Sequence, residues 1–258
     1  MVQPDTPNKV AAITASFWIA KIIATTLGET AGDFIAQTLG LGYVVGFFVT
    51  VALLVGVLLT QIRSNAFHPA LFWAAIVATT TTGTEISDMM DRTFGLGYVL
   101  GSTILVAGLA ITLTLWYWRK RTLSVEPIVA KDSELFFWIA VLFSNSLGTA
   151  FGDALIDPIG LNFVQGALVC SALIGVILAL HYFTKINAVL LFWPAFIFTR
   201  PFGATFGDFL VKEHTHGGLE LGTLETSLVA FALLAGVVFI GSRCERKTRL
   251  DLSDAKAS

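Results

Sequence analysis

The 258-residue chain carries a net charge of −2, with 55% hydrophobic and only 13% charged residues, where soluble domains carry roughly 25% charged residues. With a mean hydropathy of +0.78 this is the composition of an integral membrane protein. Its two cysteines, Cys170 and Cys244, supply neither a disulfide framework nor a metal-ligand pair, and no nucleic-acid partner is expected.

The polar start MVQPDTPNK has one basic residue and leads straight into a hydrophobic segment at 11–35, so the first helix is read as retained rather than cleaved as a signal. Further segments follow at 42–62, 66–90, 97–118, 134–156, 162–183, 187–211 and 222–241. Each is long enough for roughly 30 Å of hydrocarbon, which takes about 20 helical residues. Unbroken runs such as VVGFFVTVALLVGVLL lack the alternation of barrel strands.

Within these segments a Phe-Trp pair is followed by a glycine and an aspartate at fixed distances: Trp18, Gly28, Asp33; Trp73, Gly83, Asp88; Trp138, Gly148, Asp153; Trp193, Gly203, Asp208. The Trp-to-Trp steps are 55, 65 and 55 residues, the long one holding the polar stretch RKRTLSVEPIVAKDSE. Such a period sets the architecture. The expected fold is an all-α integral membrane protein, one transmembrane domain over 1–258, with eight transmembrane helices as four two-helix repeats at about 11–62, 66–118, 134–183 and 187–241. Residues 119–133 form a cytoplasmic linker. Because each unit holds an even number of helices, the repeats are parallel, with pseudo-symmetry about the membrane normal.

The second helix of each unit opens on GLGYVVG (40–46), GLGYVLG (95–101), GLNFVQG (160–166) and, weakened, GLELGTL (218–224). The first glycines suit tight turns, and Gly46, Gly101 and Gly166 allow close helix approach. The fourth unit departs by inserting Lys212-Glu213-His214-Thr215-His216.

Charge asymmetry orients the bundle. Lys9, Arg63, Arg119, Lys120, Arg121, Lys131, Lys185, Arg243, Arg246, Lys247, Arg249 and Lys256, twelve of the sixteen basic residues, fall on one side. The opposite loops hold Arg92 and Lys212, with Lys21 and Arg200 inside helices. Both termini are therefore expected in the cytoplasm of a bacterial inner-membrane protein, and the opposite side is acidic.

Aligned on the Trp, the units present a polar stripe at offsets 7, 8, 11, 12 and 15: Thr25, Thr80, Asn145 and Arg200 at the first, Glu29, Thr84, Thr149 and Ala204 at the third, and Thr30, Glu85, Ala150 and Thr205 at the fourth. Those offsets share one helical face. Acids on such a face are costly toward lipid and turn to the bundle interior or a wet cavity. The competing reading seats each Asp at the membrane surface, bonded to backbone at a helix break. Converging carboxylates call for a cation, and ligation by oxygen suits hard ions such as Mg²⁺, Ca²⁺ or Mn²⁺. Asp33, Asp88, Asp153 and Asp208 are the expected ion site, with Glu29 and Glu85 as further metal ligands or proton carriers and Thr149 and Thr205 as neutral ligands. Arg200, beside the helix-breaking Pro201, is a built-in counter-charge, most plausibly for an acid of the fourth unit. His214 and His216 could bind Zn²⁺; a solvated loop is the competing reading. Haem ligation, a Ser-His-Asp set, HExxH and a P-loop are all missing, so no enzyme activity and no resident cofactor are expected.

The repeated Phe-Trp, Gly and Asp unit resembles a bacterial family of polytopic membrane-anchored proteins with a tandem repeat of unknown function. The resemblance spans about 11–241 and implies topology rather than activity. A weaker likeness links Glu29-Thr-Ala-Gly32-Asp33 to the Glu-x-Gly-Asp-Lys/Arg-Ser/Thr motif of cation/proton exchangers; here the spacing is one residue longer and Phe34 replaces the basic residue. The expected function is inner-membrane transport of a divalent metal ion such as Mn²⁺, with metal cation, protons and membrane lipid as partners and a homodimer left open. A cation or proton channel, or a non-transporting scaffold or sensor holding a structural ion, are the alternatives. Glu in the first two units and Arg200 in the fourth point to an off-axis site weighted to the N-terminal half.

Overall fold

A computed structural model of the chain describes residues 8–64 and 66–257, without the side chains of His216 and 244–257. The sequence readings that rest on the side chains of His216, Cys244, Arg246, Lys247, Arg249 and Lys256 thus lie outside the described residues. Within them the structure is all-α: α1 (Ala15–Asp33), α2 (Gly42–Arg63), α3 (Pro69–Asp88), α4 (Gly97–Lys120), α5 (Lys131–Ile156), α6 (Phe163–Phe183), α7 (Ala188–Val211) and α8 (Thr223–Ala257). Helices α1 and α3 run on into π turns at Phe34–Thr38 and Met89–Thr93.

Six helices, α2, α4, α5, α6, α7 and the Thr223–Arg243 part of α8, are long and apolar enough to cross a membrane. Helices α1 and α3 are more polar. Lys21, Glu29 and Asp33 interrupt the first, and Thr79 to Thr82, Glu85 and Asp88 the second. Their polarity is sheltered, because protein surrounds them. Helix α1 packs on α3, α3 on α5, α5 on α7, and α7 back on α1, closing a ring of odd-numbered helices. The even helices lie outside, each against the odd helix of the following unit: α2 on α3, α4 on α5, α6 on α7 and α8 on α1.

The repeated glycine lets the ring close. A Cβ on Gly28 would stand 2.1 Å from Thr80 Oγ1, on Gly83 3.0 Å from Ser146 N, on Gly148 2.6 Å from Arg200 Cβ, and on Gly203 2.1 Å from Thr25 Oγ1. Each unit's glycine faces the offset-7 residue, or its neighbour, of the next unit, and the fourth faces the first. Hydroxyls stitch the same seams: Thr80 Oγ1 donates to Ala24 O at 3.3 Å, and Thr25 Oγ1 to Thr199 O at 3.3 Å. Much of the polar stripe therefore joins helix to helix.

A second closed circuit lies one to three turns away, toward the N-terminal ends of the odd helices. Each Phe of a Phe-Trp pair meets the Trp of the next unit: Phe17 and Trp73 at 5.5 Å between ring centroids, Phe72 and Trp138 at 5.6 Å, Phe137 and Trp193 at 6.5 Å, Phe192 and Trp18 at 5.8 Å. All four Phe rings are buried, and aromatic pairs at this spacing add about 0.5–1.5 kcal/mol each beyond their buried area. Beside this collar, Lys9 is not free in solvent. Its ammonium donates to Glu134 Oε2 at 2.7 Å and Ile62 O at 3.1 Å, while Gln61 Nε2 donates to Lys9 O and Glu134 Oε1. Lys9 N also donates to Ile128 O, so the linker between α4 and α5 is pinned to the chain start.

Helix α7 continues through Pro194 and Pro201; the break expected at Pro201 does not occur, because its neighbours on both sides of the ring hold the helix in place. The turns before α2 and α4 place Gly40, Gly42, Gly95 and Gly97 at φ of 67, 72, 63 and 71°, where a side chain is disfavoured. In the fourth unit Glu220 takes this conformation, at φ 56°.

Candidate functional site

Past the collar, two buried cations reach across the ring. Lys21 of α1, 0% exposed, donates to Asn145 Oδ1 of α5 at 3.0 Å and stands 4.1 Å from the centroid of the Phe196 ring. Asn145 Nδ2 continues to Thr79 Oγ1 of α3 at 3.2 Å. Nearer the acidic end, Arg200 Nη2 of α7 donates to Glu29 Oε2 of α1 at 2.7 Å and to Thr84 Oγ1 of α3 at 2.6 Å. Its Nε and Nη1 have no acceptor among the described residues. Arg200 is thus the counter-charge of the first unit's Glu29 and not of an acid in the fourth. Its length decides this, since an Arg at offset 7 spans the ring more readily than it folds back along its own helix.

The four aspartates sit at the far ends of the odd helices and are all buried. They have three different environments. Glu29, Asp33 and Asp208 each bring a carboxylate oxygen within 4.8 Å of the others. Lys212 Nζ lies against two of them, 2.5 Å from Asp33 Oδ2 and 3.6 Å from Asp208 Oδ1. Asp33 Oδ1 also accepts from Gln37 Nε2, and Asp208 Oδ1 has no hydrogen-bond donor among the described residues. Asp88 is paired by Arg92 Nε at 3.1 Å. The Asp153 side chain makes no ion pair or hydrogen bond among the described residues, and Asp157 one turn on accepts from Tyr98 OH. Burial works against the charge on Lys212, just past α7, but Asp208 and Asp33 hold its ammonium above the ordinary lysine range.

None of the four aspartates caps a helix break beside its glycine. In α1 and α3 the chain instead widens into a π turn directly after Asp33 and Asp88, a local feature frequent at functional sites.

The other expected ligands stand apart from the Glu29, Asp33 and Asp208 triad. Glu85 turns outward to α2: a Cβ on Gly46 would lie 2.7 Å from its Oε2, and neither carboxylate oxygen finds a donor among the described residues. Thr205 faces α6, its Cγ2 3.3 Å from a Cβ built on Gly166, and donates to Pro201 O at 2.9 Å. Thr149 shares the helical position of Glu29 and Thr84 in its unit and donates to Asn145 O at 3.3 Å. The reason is angular. Offset 11 faces the ring interior, and offset 12, 100° further round, faces the outer helix. His214 is tied into its loop, Nδ1 lying 2.7 Å from Gly218 O.

A family described as a repeat of unknown function, DUF347, matches residues 16–67, 71–122, 136–187 and 191–247. The chain belongs to this family. Its four DUF347 repeats account for both closed circuits, glycine and aromatic, since each copy supplies the same two contacts to the next. No curated protein and no solved structure matches the chain.

Within the DUF347 repeats, the residues that reading the sequence missed lie four positions beyond each aspartate: Gln37, Arg92, Asp157 and Lys212. The signal was available, because residues four apart on a helix meet. It places a cation over the aspartate in the second and fourth units only.

Proposed function

We propose that this protein is a multi-pass carrier of the bacterial inner membrane, both termini cytoplasmic, that moves a divalent cation through the Glu29, Asp33 and Asp208 site. Mn²⁺ is the favoured ion, because the donors are hard carboxylate oxygens without Cys or Met. All eight helices span in this reading, α1 and α3 within the shelter of the others. The 19 residues of α1 extend about 28 Å.

The observation that carries the proposal is the convergence of three buried carboxylates from the first and last units, two of which already share a positive group. Charge balance supports it. The six buried acids of the ring, Glu29, Asp33, Glu85, Asp88, Asp153 and Asp208, face Lys21, Arg92, Arg200 and Lys212. Two negative charges remain with Lys212 in place and three once its ammonium withdraws, an excess that a bound cation offsets. Lys21 and Arg200 lie across the ring's middle, which favours a carrier over an open channel. The same crossing favours one rival, a non-transporting scaffold with a structural ion.

Titration of the purified protein with Mn²⁺ separates these readings from no ion at all. Binding that is lost in Asp33→Asn and Asp208→Asn, with the variants still folded, is the expected result. Binding unchanged in both variants rejects the site, and binding that raises thermal stability without flux in vesicles identifies the scaffold.

A further inference from the structure

Lys212 holds the position of Gln37, Arg92 and Asp157 in the other units and opens the connection that sets the fourth repeat apart, where the step from the aspartate to the next Gly-Leu is 10 residues instead of 7. Helix α7 ends at Val211, and Lys212 turns out of it with extended backbone, φ −74° and ψ 161°. The side chain folds back over the helix end, so its ammonium reaches Asp33 of the first unit at 2.5 Å as well as Asp208 of its own at 3.6 Å. It also lies 3.4 Å from Gln37 Oε1. The loop beyond is folded around this residue. Glu220 N donates to Lys212 O at 3.0 Å, Leu219 N to Phe209 O at 2.7 Å, and Leu221 N to Leu210 O at 2.9 Å. Arg92, the corresponding cation of the second unit, makes its ion pair among the described residues with its own Asp88.

From this geometry, and resting on the carrier reading above, we propose that Lys212 is a tethered competitor for the cation: its ammonium holds the Asp33 and Asp208 side of the site from the outer loop and must leave before a divalent ion binds. Lys212, held by the longer loop of the fourth unit, is then the residue that sets the ion affinity of an otherwise repeated framework. A state in which the ammonium occupies the ligands is incompetent for metal, and the apparent affinity falls by the fraction of molecules in the competent state. Asp208 Oδ1, buried and without a hydrogen-bond donor among the described residues, is a ligand atom that the ammonium, 3.6 Å away, leaves unsatisfied.

The test uses the full chain in detergent at fixed pH and MnCl₂ as the probe. Lys212→Gln should bind Mn²⁺ more tightly than wild type by ~tenfold or more, and Lys212→Arg should stay close to wild type. In unmutated protein, Mn²⁺ should speed modification of Lys212 by an amine-reactive reagent, read by mass spectrometry against the exposed Lys185. Wild-type binding with equal or weaker affinity in Lys212→Gln, or Lys212 labelling that Mn²⁺ slows or leaves unchanged, overturns the competitor while leaving the carrier standing. Absence of Mn²⁺ binding in every form overturns both.

Discussion

The two ends of the same four inner helices differ in kind. At the collar, all four repeats do the same thing: Phe meets the next Trp, and the fourth unit closes on the first. At the acidic end, the same aspartate has three environments, shared with Lys212 at Asp33 and Asp208, paired by Arg92 at Asp88, and without an ion pair or hydrogen bond among the described residues at Asp153. The repeat therefore builds the frame by duplication, and chemistry is placed where the copies have diverged.

If that division holds, changes near the collar or in the glycine seams act on stability and changes at the acidic end act on ion binding. The largest loss is expected from Lys9→Met, which leaves Glu134 buried without its ion partner at a cost of about 3–5 kcal/mol; thermal unfolding in detergent should show it, with recovery in Lys9→Met/Glu134→Leu. Next comes Gly203→Ala, whose methyl would fall 2.1 Å from Thr25 Oγ1, an overpacking cost of about 1–3 kcal/mol. Neither stability change should alter the Mn²⁺ affinity of the molecules that remain folded. Conversely, Gln37→Leu removes the donor that holds Asp33 and should weaken Mn²⁺ binding roughly 10- to 100-fold with little change in melting temperature. The smallest effect is at Glu220, where glycine relieves the left-handed backbone and should stabilise by about 1 kcal/mol, seen as a modest rise in melting temperature. A collar variant that changes ion affinity, or Gln37→Leu that mainly unfolds the protein, breaks the comparison.

The helices were legible because hydropathy and the Trp-to-Asp interval are local signals, and the turns because paired glycines demand positive φ. The parts not legible are those that depend on which helix stands opposite. Glu29 and Glu85 lie one offset apart in the aligned units, yet 100° of helical rotation sends one into the ring and the other toward α2. Arg200 was readable as a counter-charge, but its partner depends on the ring order, which places α1 beside α7. The repeat glycine reads as a packing residue only once Thr80, Ser146, Arg200 and Thr25 are seen against it. Lys212 looked like a loop charge because its contact with Asp33 spans 179 residues of sequence.

Flux measures the central claim most directly. Mn²⁺ entry into vesicles is compared for wild type and for a variant with Asp33, Asp88, Asp153 and Asp208 all changed to Asn, at matched amounts of folded protein. The account predicts uptake by the wild type and none above empty vesicles by the variant; undiminished uptake by the variant would contradict it.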